Sequence, residues 1–288
     1  MIQEFVNLGG KTTMRIGGQA HYYAEPATTD DVEAAWDFAQ DKEIPFMVLG
    51  GGSNTIFADG ILEALVVRIK HDTTTIAGNT VRVGSGKNLP MLINELAKSE
   101  LDLSPLTGIL GTVGGAVFGN AGQGPTGIWM DTYVREVLVF EEKEWRVLKH
   151  EDCDFGYRES IFKHGPEARP VIWEILLEIP SKPRAEIEDE IQRLLKKRIE
   201  TQPHVKTAGS CFKAVGGTPA WQLIDAAGLR GYSVGDVQIA EKHANFLLNT
   251  GKASFEDAVT LVKNVKGALA EPLDVEMRFI NTDGSLVF

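Results

Sequence analysis

The sequence predicts an α+β architecture divided into lobes, and three observations carry that reading. Strand-like apolar runs of four to nine residues are interleaved irregularly with a few helical patterns. At 288 residues the chain reaches the size, about 250–300 residues, at which one hydrophobic core stops growing. Two glycine clusters about 60 residues apart, Gly50 to Gly52 and Gly111 to Gly115, break the regular patterns. The second is too glycine-rich for the interior of a helix or strand, so close backbone approach is expected there.

In chain order, Thr12 to Ala20 reads as a polar entry segment. Thr29-Asp30 reads as a helix cap, followed by Val32, Trp36 and Ala39 at helical spacing. Strands are expected at Phe46 to Leu49, Leu65 to Ile69 and Thr80 to Gly84, so the first 70 or so residues read β-α-β-loop-β with mixed pairing. Asn88 caps a second helix, with Pro90 in its first turn and Leu89, Leu92, Ile93 and Leu96 on its inner face. Strands Val134 to Phe140 and Val171 to Ile179 follow, with Phe155 to Ser160 between them. Pro180 to Pro183 reads as a linker. Glu186 to Arg198 is a helix with an acidic first turn and a basic last turn, which suits the macrodipole. A short helix around Pro219 to Ala227 stops at Gly228. Ser254 caps a last helix that buries Ala258, Leu261, Val262 and Val265 and ends at Gly267. A strand from Leu273 to Ile280 closes the chain, with Asp274, Glu276 and Arg278 on its polar face.

The bulk numbers narrow the function. A formal net charge of −11 argues against nucleic acid or an anionic membrane as the partner. Two cysteines, Cys153 and Cys211, supply neither a disulfide framework nor a zinc ladder, and the six histidines lack metal-ligand spacing. No metal is expected. The N-terminus carries Glu4 and no long apolar run, and no stretch reaches membrane-spanning length. A reducing cytoplasm fits.

The loop Gly50-Gly51-Gly52-Ser53-Asn54 follows a strand-like stretch, and bare glycine amides can converge there on an anion. On its own the loop fits an ordinary tight turn as well as a diphosphate site. It is not a dinucleotide-binding fingerprint, because Thr55 stands at the third glycine and no helical pattern follows. No Gly-Lys-Ser/Thr occurs, so it is not a P-loop. Two glycine clusters on separate lobes suggest a long diphosphate cofactor held by both.

Six motifs then occur in register: Thr12 to Ala20, Leu-Gly-Gly-Gly-Ser-Asn, Gly111-Thr112-Val113-Gly114-Gly115-Ala116-Val117, Tyr157-Arg158-x-Ser160-x-Phe162, Gly209-Ser210-x-Phe212-Lys213 and Lys242-His243-Ala244-Asn245-Phe246. Together they resemble the UDP-N-acetylenolpyruvoylglucosamine reductase family over nearly the whole chain, in its shorter subtype. The resemblance implies a two-lobed PCMH-type FAD-binding domain plus a C-terminal α+β substrate-binding domain. The lobes expected are residues 1–70 and 71–182 for FAD and 183–288 for substrate. It implies noncovalent FAD, since no histidine or cysteine lies between Leu49 and Gly60. NADPH is the implied reductant, a UDP-sugar enolpyruvyl ether the substrate, and a monomer the working form.

The implied reaction passes hydride from flavin N5 to the enolpyruvyl methylene carbon, leaving charge beside the carboxylate. Arg158 is the implied carboxylate clamp, Ser210 the proton donor, and Glu276 the group that stabilises or protonates the intermediate. From the residues alone, Arg158 can pair with Glu159, Ser210 can bond its own backbone, and Glu276 can pair with Arg278 on a solvated face. Gly50, Gly51, Gly52, Ser53, Asn54, Gly111, Thr112, Gly114, Gly115 and Arg198 are the implied cofactor contacts. Arg198 is the one placed near the flavin pyrimidine. Tyr157, Lys213, His243 and Asn245 are implied for substrate, although for His243 taken alone a satisfied structural histidine is the better reading. Cys211 reads as a packed neighbour of Ser210. Leu110 stands where the family usually has proline, and Asn120 to Pro125 is less regular than usual. Two rivals remain, another FAD oxidoreductase of the same fold and a flavin or nucleotide-sugar binding protein without turnover.

Overall fold

A computed structural model describes residues 2–123, 127–164 and 170–288. Gly124 and Pro125 lie outside them. In chain order the first elements are β1 (Gln3–Asn7), β2 (Gln19–Ala24), α1 (Thr29–Asp41), β3 (Phe46–Val48), β4 (Thr55–Phe57) and β5 (Ile61–Val67). Next come β6 (Thr74–Ala77), β7 (Thr80–Gly84), α2 (Leu89–Lys98), α3 (Val113–Phe118), β8 (Val134–Glu141), β9 (Glu144–Lys149), β10 (Val171–Glu178) and α4 (Arg184–Thr201). The last are β11 (Thr207–Ser210), α5 (Ala220–Ala226), β12 (Ser233–Val234), β13 (Val237–Ile239), β14 (Phe246–Asn249), α6 (Phe255–Ala268) and β15 (Arg278–Ile280). The α+β class expected from the sequence is the one observed. Among the described residues, no helix is long and apolar enough to cross a membrane.

The chain forms two compact units. The first is made mainly of Ala24–Gly51 and Leu65–Arg198, the second of Gln3–Tyr23, Gly52–Ala64 and Ile199–Phe288.

In the first unit, an antiparallel sheet runs in the order β6-β7-β10-β8-β9. Its inner face, with Val81, Val83, Val137, Val139, Ile175 and Leu177, packs in one core with Leu89, Leu92, Ile93 and Leu96 of α2. Asn88 caps α2, its side chain accepting from the Met91 N–H at 3.0 Å, as the sequence predicts. For α1 the cap is Thr28, one residue ahead of the expected Thr29-Asp30, in a reciprocal capping box with Asp31. β3 pairs in parallel with the second half of β5, Phe46 opposite Leu65. The expected linker at Pro180 is tied down: the Asp102 N–H donates to Pro180 O at 2.8 Å and the Lys182 N–H to Glu100 O at 2.9 Å.

The sequence reading passed over β9. It returns from β8 through Glu142-Lys143, both in the left-handed region at φ +50° and +66°. That is a two-residue hairpin turn made without the glycine or asparagine that usually advertises it. A second correction concerns Gly111 to Gly115. Val113–Phe118 is a short helix with Gly114 and Gly115 in its first turn, capped by Thr112. A Cβ on Gly114 would lie 2.7 Å from Ser85 Cβ, so close packing outweighs the usual cost of glycine in a helix.

In the second unit, the antiparallel order is β11-β14-β13-β12, and β15 pairs in parallel with β4, Arg278 opposite Thr55. The core holds Met14, Ile16, Ile56, Ala208, Phe212, Val237, Leu247, Leu261, Val262 and Phe279. Ser254 caps α6 with Asp257 completing a capping box, and the helix passes through Gly267 to Ala268. The strand expected from Leu273 shortens to Arg278–Ile280, because the Cys211 carbonyl accepts from both the Glu276 and Met277 N–H groups, at 2.7 and 3.3 Å. Two residues against one is a bulge, and it ends the ladder. The antiparallel pair β1-β2 also went unread, its strands being polar and, in β1, mostly exposed.

Candidate active site

In the first unit the two glycine clusters meet. A Cβ on Gly51 would lie 2.5 Å from Gly111 Cα, and one on Gly50 would lie 3.0 Å from Thr112 Oγ1. Gly111 itself sits at φ +112°. Among the described residues, no carbonyl accepts from the N–H groups of Gly50, Gly51, Gly111 or Thr112. The N–H groups of Val113 and Gly114 are spent on Lys87 O at 2.8 Å and Ser85 O at 2.9 Å, and the Gly115 N–H on Thr112 Oγ1 at 3.2 Å. The outcome is a bare-backbone surface with N–H groups to offer, which fits a diphosphate. Of the predicted contacts, Gly50, Gly51, Gly111 and Thr112 supply it, while Gly114 and Gly115 shape it. Leu110, in place of the usual proline, is exposed.

Arg158 and Arg198 lie in the same unit. Arg198 covers Gly108: a Cβ there would fall 2.1 Å from Arg198 Cδ. Burial, and then the nearby positive charge of Arg158, lower the Arg198 pKa. Two guanidinium groups held within electrostatic reach make this region receptive to anions.

Arg158 takes the left-handed conformation at φ +58°, in a tight turn where Gly156 and Glu159 exchange N–H···O bonds at 3.1 Å. Its guanidinium donates to Gly122 O at 2.8 Å and reaches Asn120 O at 3.5 Å, and it lies 5.6 Å from the Tyr157 ring centre. Lys163 Nζ donates to Arg158 O. Tyr157 faces Trp129, ring centres 5.9 Å apart.

The turn is anchored by residues the sequence reading did not single out. Asn120, fully buried, donates from Nδ2 to Gly156 O at 2.9 Å and accepts at Oδ1 from the Asp131 N–H at 3.0 Å. Ser160, also fully buried, donates to Phe118 O at 2.7 Å. Ser160 stood in the quoted Tyr157 motif, a short polar residue among aromatics, and Asn120 opened the stretch noted only as irregular.

The second unit brings Ser210 and Glu276 together. Ser210 ends β11 opposite Phe246, after Gly209 at φ +78°. Its successor Cys211 is the residue whose carbonyl takes the Glu276 N–H. Phe212 bridges Val275, and the Lys213 N–H donates to Asp274 O at 2.9 Å, which extends the pairing and places Lys213 beside it. Cys211 is fully buried, and burial first, then the Glu276 charge, push its thiol up, so it stays protonated. It is the packed neighbour the sequence suggests.

Asn245 is spent on the main chain. Its Oδ1 accepts from the Phe212 N–H at 2.9 Å, its Nδ2 donates to Phe212 O at 2.8 Å, and its own carbonyl accepts from Cys211 N–H at 2.8 Å. Both polar atoms of this amide thus bond the main chain of the segment that follows Ser210. His243 packs edge-on against Phe246 at 4.7 Å, and burial lowers its pKa, keeping the ring neutral. Its ring accepts from the Asn245 N–H at 3.4 Å.

Gly52, Ser53 and Asn54 belong to this unit as well. A Cβ on Gly52, at φ +65°, would fall 2.2 Å from Lys11 O, so only glycine fits. Asn54 Nδ2 donates to Glu276 O at 3.1 Å, and Asn54 O accepts from the Arg278 N–H at 2.9 Å. The end of the glycine loop is thus stitched to the segment bearing Glu276. Thr13, in the entry motif, donates from its hydroxyl to Thr207 O at 2.7 Å, and its N–H donates to Gly52 O at 2.9 Å.

Comparison with known proteins agrees with this geometry. Residues 20–143 match the family model of an FAD binding domain. Residues 202–279 match that of the UDP-N-acetylenolpyruvoylglucosamine reductase C-terminal domain. The chain is 34% identical to the UDP-N-acetylenolpyruvoylglucosamine reductase of Synechococcus elongatus, covering 96% of this chain and 92% of that one. It is 33% identical to the reductase of that name from Bacillus subtilis, covering 94% and 89%. The crystal structure of the Thermus caldophilus reductase superposes with a TM-score of 0.85 at 34% identity, over 97% of this chain and 99% of that one. With both family models in order along the sequence and relatives matched nearly end to end, the chain belongs to the UDP-N-acetylenolpyruvoylglucosamine reductase family.

Proposed function

We propose that the protein reduces the enolpyruvyl ether of UDP-N-acetylglucosamine to UDP-N-acetylmuramate, with NADPH as reductant, in peptidoglycan precursor synthesis. The observation that carries the reading is the Cys211–Glu276 main-chain bond, which sets Ser210 and Glu276, far apart in the sequence, on adjacent segments of the second unit. FAD, held noncovalently, supplies the hydride chemistry when bound. Residues 1–70 and 71–182 are read as the cofactor lobes and 183–288 as the substrate lobe. Within these lobes, the N–H groups of Gly50, Gly51, Gly111 and Thr112 are the donors for the cofactor diphosphate. Arg198 neutralises negative charge on the flavin ring.

The chain's own part in the chemistry is charge and proton handling. Arg158 binds the substrate carboxylate, where its charge is worth most as negative charge builds on the adjacent carbon. Ser210 Oγ gives its proton to that carbon. A serine is a weak acid, but a nascent carbanion is a strong enough base to take the proton of a hydroxyl already positioned beside it. Glu276 stabilises or protonates the intermediate. Tyr157 and Lys213 line the substrate site. A monomer in the cytoplasm, without nucleic-acid or membrane partners, agrees with the net charge of −11.

The test is an anaerobic two-step titration. NADPH should bleach the flavin, and the enolpyruvyl sugar nucleotide added afterwards should restore its absorbance stoichiometrically. Reoxidation by oxygen but not by the sugar nucleotide would favour an oxidase of the same fold.

A further inference from the structure

We propose that Asn120 is a positioning residue for the reaction, acting through Arg158 by fixing the turn that presents the guanidinium to the substrate carboxylate. The proposal rests on the carboxylate role given to Arg158 above. Asn120 is fully buried, and each of its polar atoms has a partner. Its N–H donates to Val117 O at 3.1 Å, and its Oδ1 accepts from the Asp131 N–H at 3.0 Å. Its remaining atoms reach the Arg158 turn. Nδ2 donates to Gly156 O at 2.9 Å, and the carbonyl oxygen lies 3.5 Å from Arg158 Nη1.

The backbone on both sides of this contact is strained. Asn120 sits at φ +39° and Arg158 at φ +58°, in the left-handed region. Asparagine enters that region at modest cost, but arginine has no short polar side chain to offset the penalty. Such a conformation persists only where the surroundings over-determine it, and strain of this kind gathers at functional sites. Here one short stretch does the determining. Asn120 holds the start of the turn at Gly156, Gly122 O takes the Arg158 guanidinium at 2.8 Å, and Phe118 O takes the Ser160 hydroxyl at 2.7 Å. That stretch leaves the end of α3, whose first turn carries Gly114 and Gly115 beside the glycine wall. About 9 Å of helix therefore joins the backbone assigned to the cofactor to the anchor of the carboxylate clamp. A misplacement of about 1 Å is enough to cost roughly 100-fold in rate, so the anchor sets how well Arg158 works.

A double-mutant cycle separates this role from a purely structural one. Asn120→Gly accepts the left-handed conformation and removes only the side chain. The measurement is single-turnover reoxidation of the NADPH-reduced FAD enzyme by the enolpyruvyl sugar nucleotide. Asn120→Gly should slow this step roughly 10–100-fold, while NADPH-driven flavin reduction holds. Arg158→Ala should slow it at least as much, and adding Asn120→Gly to Arg158→Ala should slow it no further. Ser160→Ala, which frees the other end of the turn, should show the same dependence on Arg158 at smaller size, and it carries the test if the glycine variant does not fold. Losses that multiply in the double variant overturn the proposal. So does an equal loss in NADPH-driven reduction, or parental reoxidation by Asn120→Gly. If Arg158→Ala alone is reoxidised like the parent, the carboxylate reading itself fails, and that result is in hand before any Asn120 variant is made.

Discussion

The glycine clusters of the first unit and the Ser210–Glu276 region of the second are built on opposite plans. In the first, function is assigned to the main chain, and side chains are removed so that two backbones can touch at Gly51 and Gly111. In the second, function is assigned to side chains, and the main chain beneath them is pinned. Asn245 clamps Phe212 from both sides, Cys211 O takes two N–H groups, and Asn54 holds Glu276 O. The difference suits the tasks proposed for the two regions. Holding a diphosphate needs several weak donors converging, which bare amides provide. Delivering one proton needs a single hydroxyl held in register, which costs ordering and so calls for anchors.

Variants in the two regions should therefore fail in different half-reactions. The largest effect is expected from Ser210→Ala. Substrate-driven flavin reoxidation should slow by roughly 10²–10⁴-fold, while NADPH-driven reduction and FAD content hold. Equal loss in both half-reactions would place Ser210 on the cofactor side and erase the contrast. Asn245→Ala comes next. It strands the N–H and carbonyl of Phe212, which is 2% exposed, and should cost about 2–4 kcal/mol, visible as a fall of roughly 5–10 °C in unfolding temperature. Slowed reoxidation should accompany it, with FAD affinity retained. Parent-like stability would mean that the Phe212 clamp holds nothing. The smallest effect belongs to Gly51→Ala, whose methyl group meets Gly111 Cα. A loss of about 1–3 kcal/mol is expected, with several-fold less FAD retained on purification. The fraction that keeps FAD should still be reoxidised by substrate at the parental rate. A defect in that step would show that the cofactor wall also sets the proton-transfer geometry.

How much of this was legible in the sequence tracks how local the physics is. Helix caps at Asn88 and Ser254 read correctly, because a cap and its partner lie three residues apart. The glycine clusters read correctly as places of close approach. The helix inside the second was missed, because the contact with Ser85 that makes glycine necessary there spans 29 positions, from residue 85 to residue 114. β9 was missed for want of a glycine at Glu142-Lys143.

Of the residues given a proposed role, Ser210, Arg158 and Glu276 were nameable only through the family resemblance. On residues alone each had an ordinary surface role to fall back on. The clamp by Asn245 and the Thr13–Thr207 tie leave no local trace. They appear only once distant segments are packed.

The parallel pairing of β4 with β15 has a consequence for how the protein is made. Thr55 leaves the ribosome long before its partner Arg278 exists. At about 5–20 residues per second the wait is roughly 10–45 s. The first unit, whose last residue is Arg198, can close in that interval. Throughout it, Ile56 and its neighbours in Gly52–Ala64 remain without their core, exposed to aggregation and to chaperones. Shortening the gap by circular permutation, with the chain opened after α4 and residues 202–288 synthesised ahead of Gln3, should raise the soluble yield of freshly made chain without altering the finished fold.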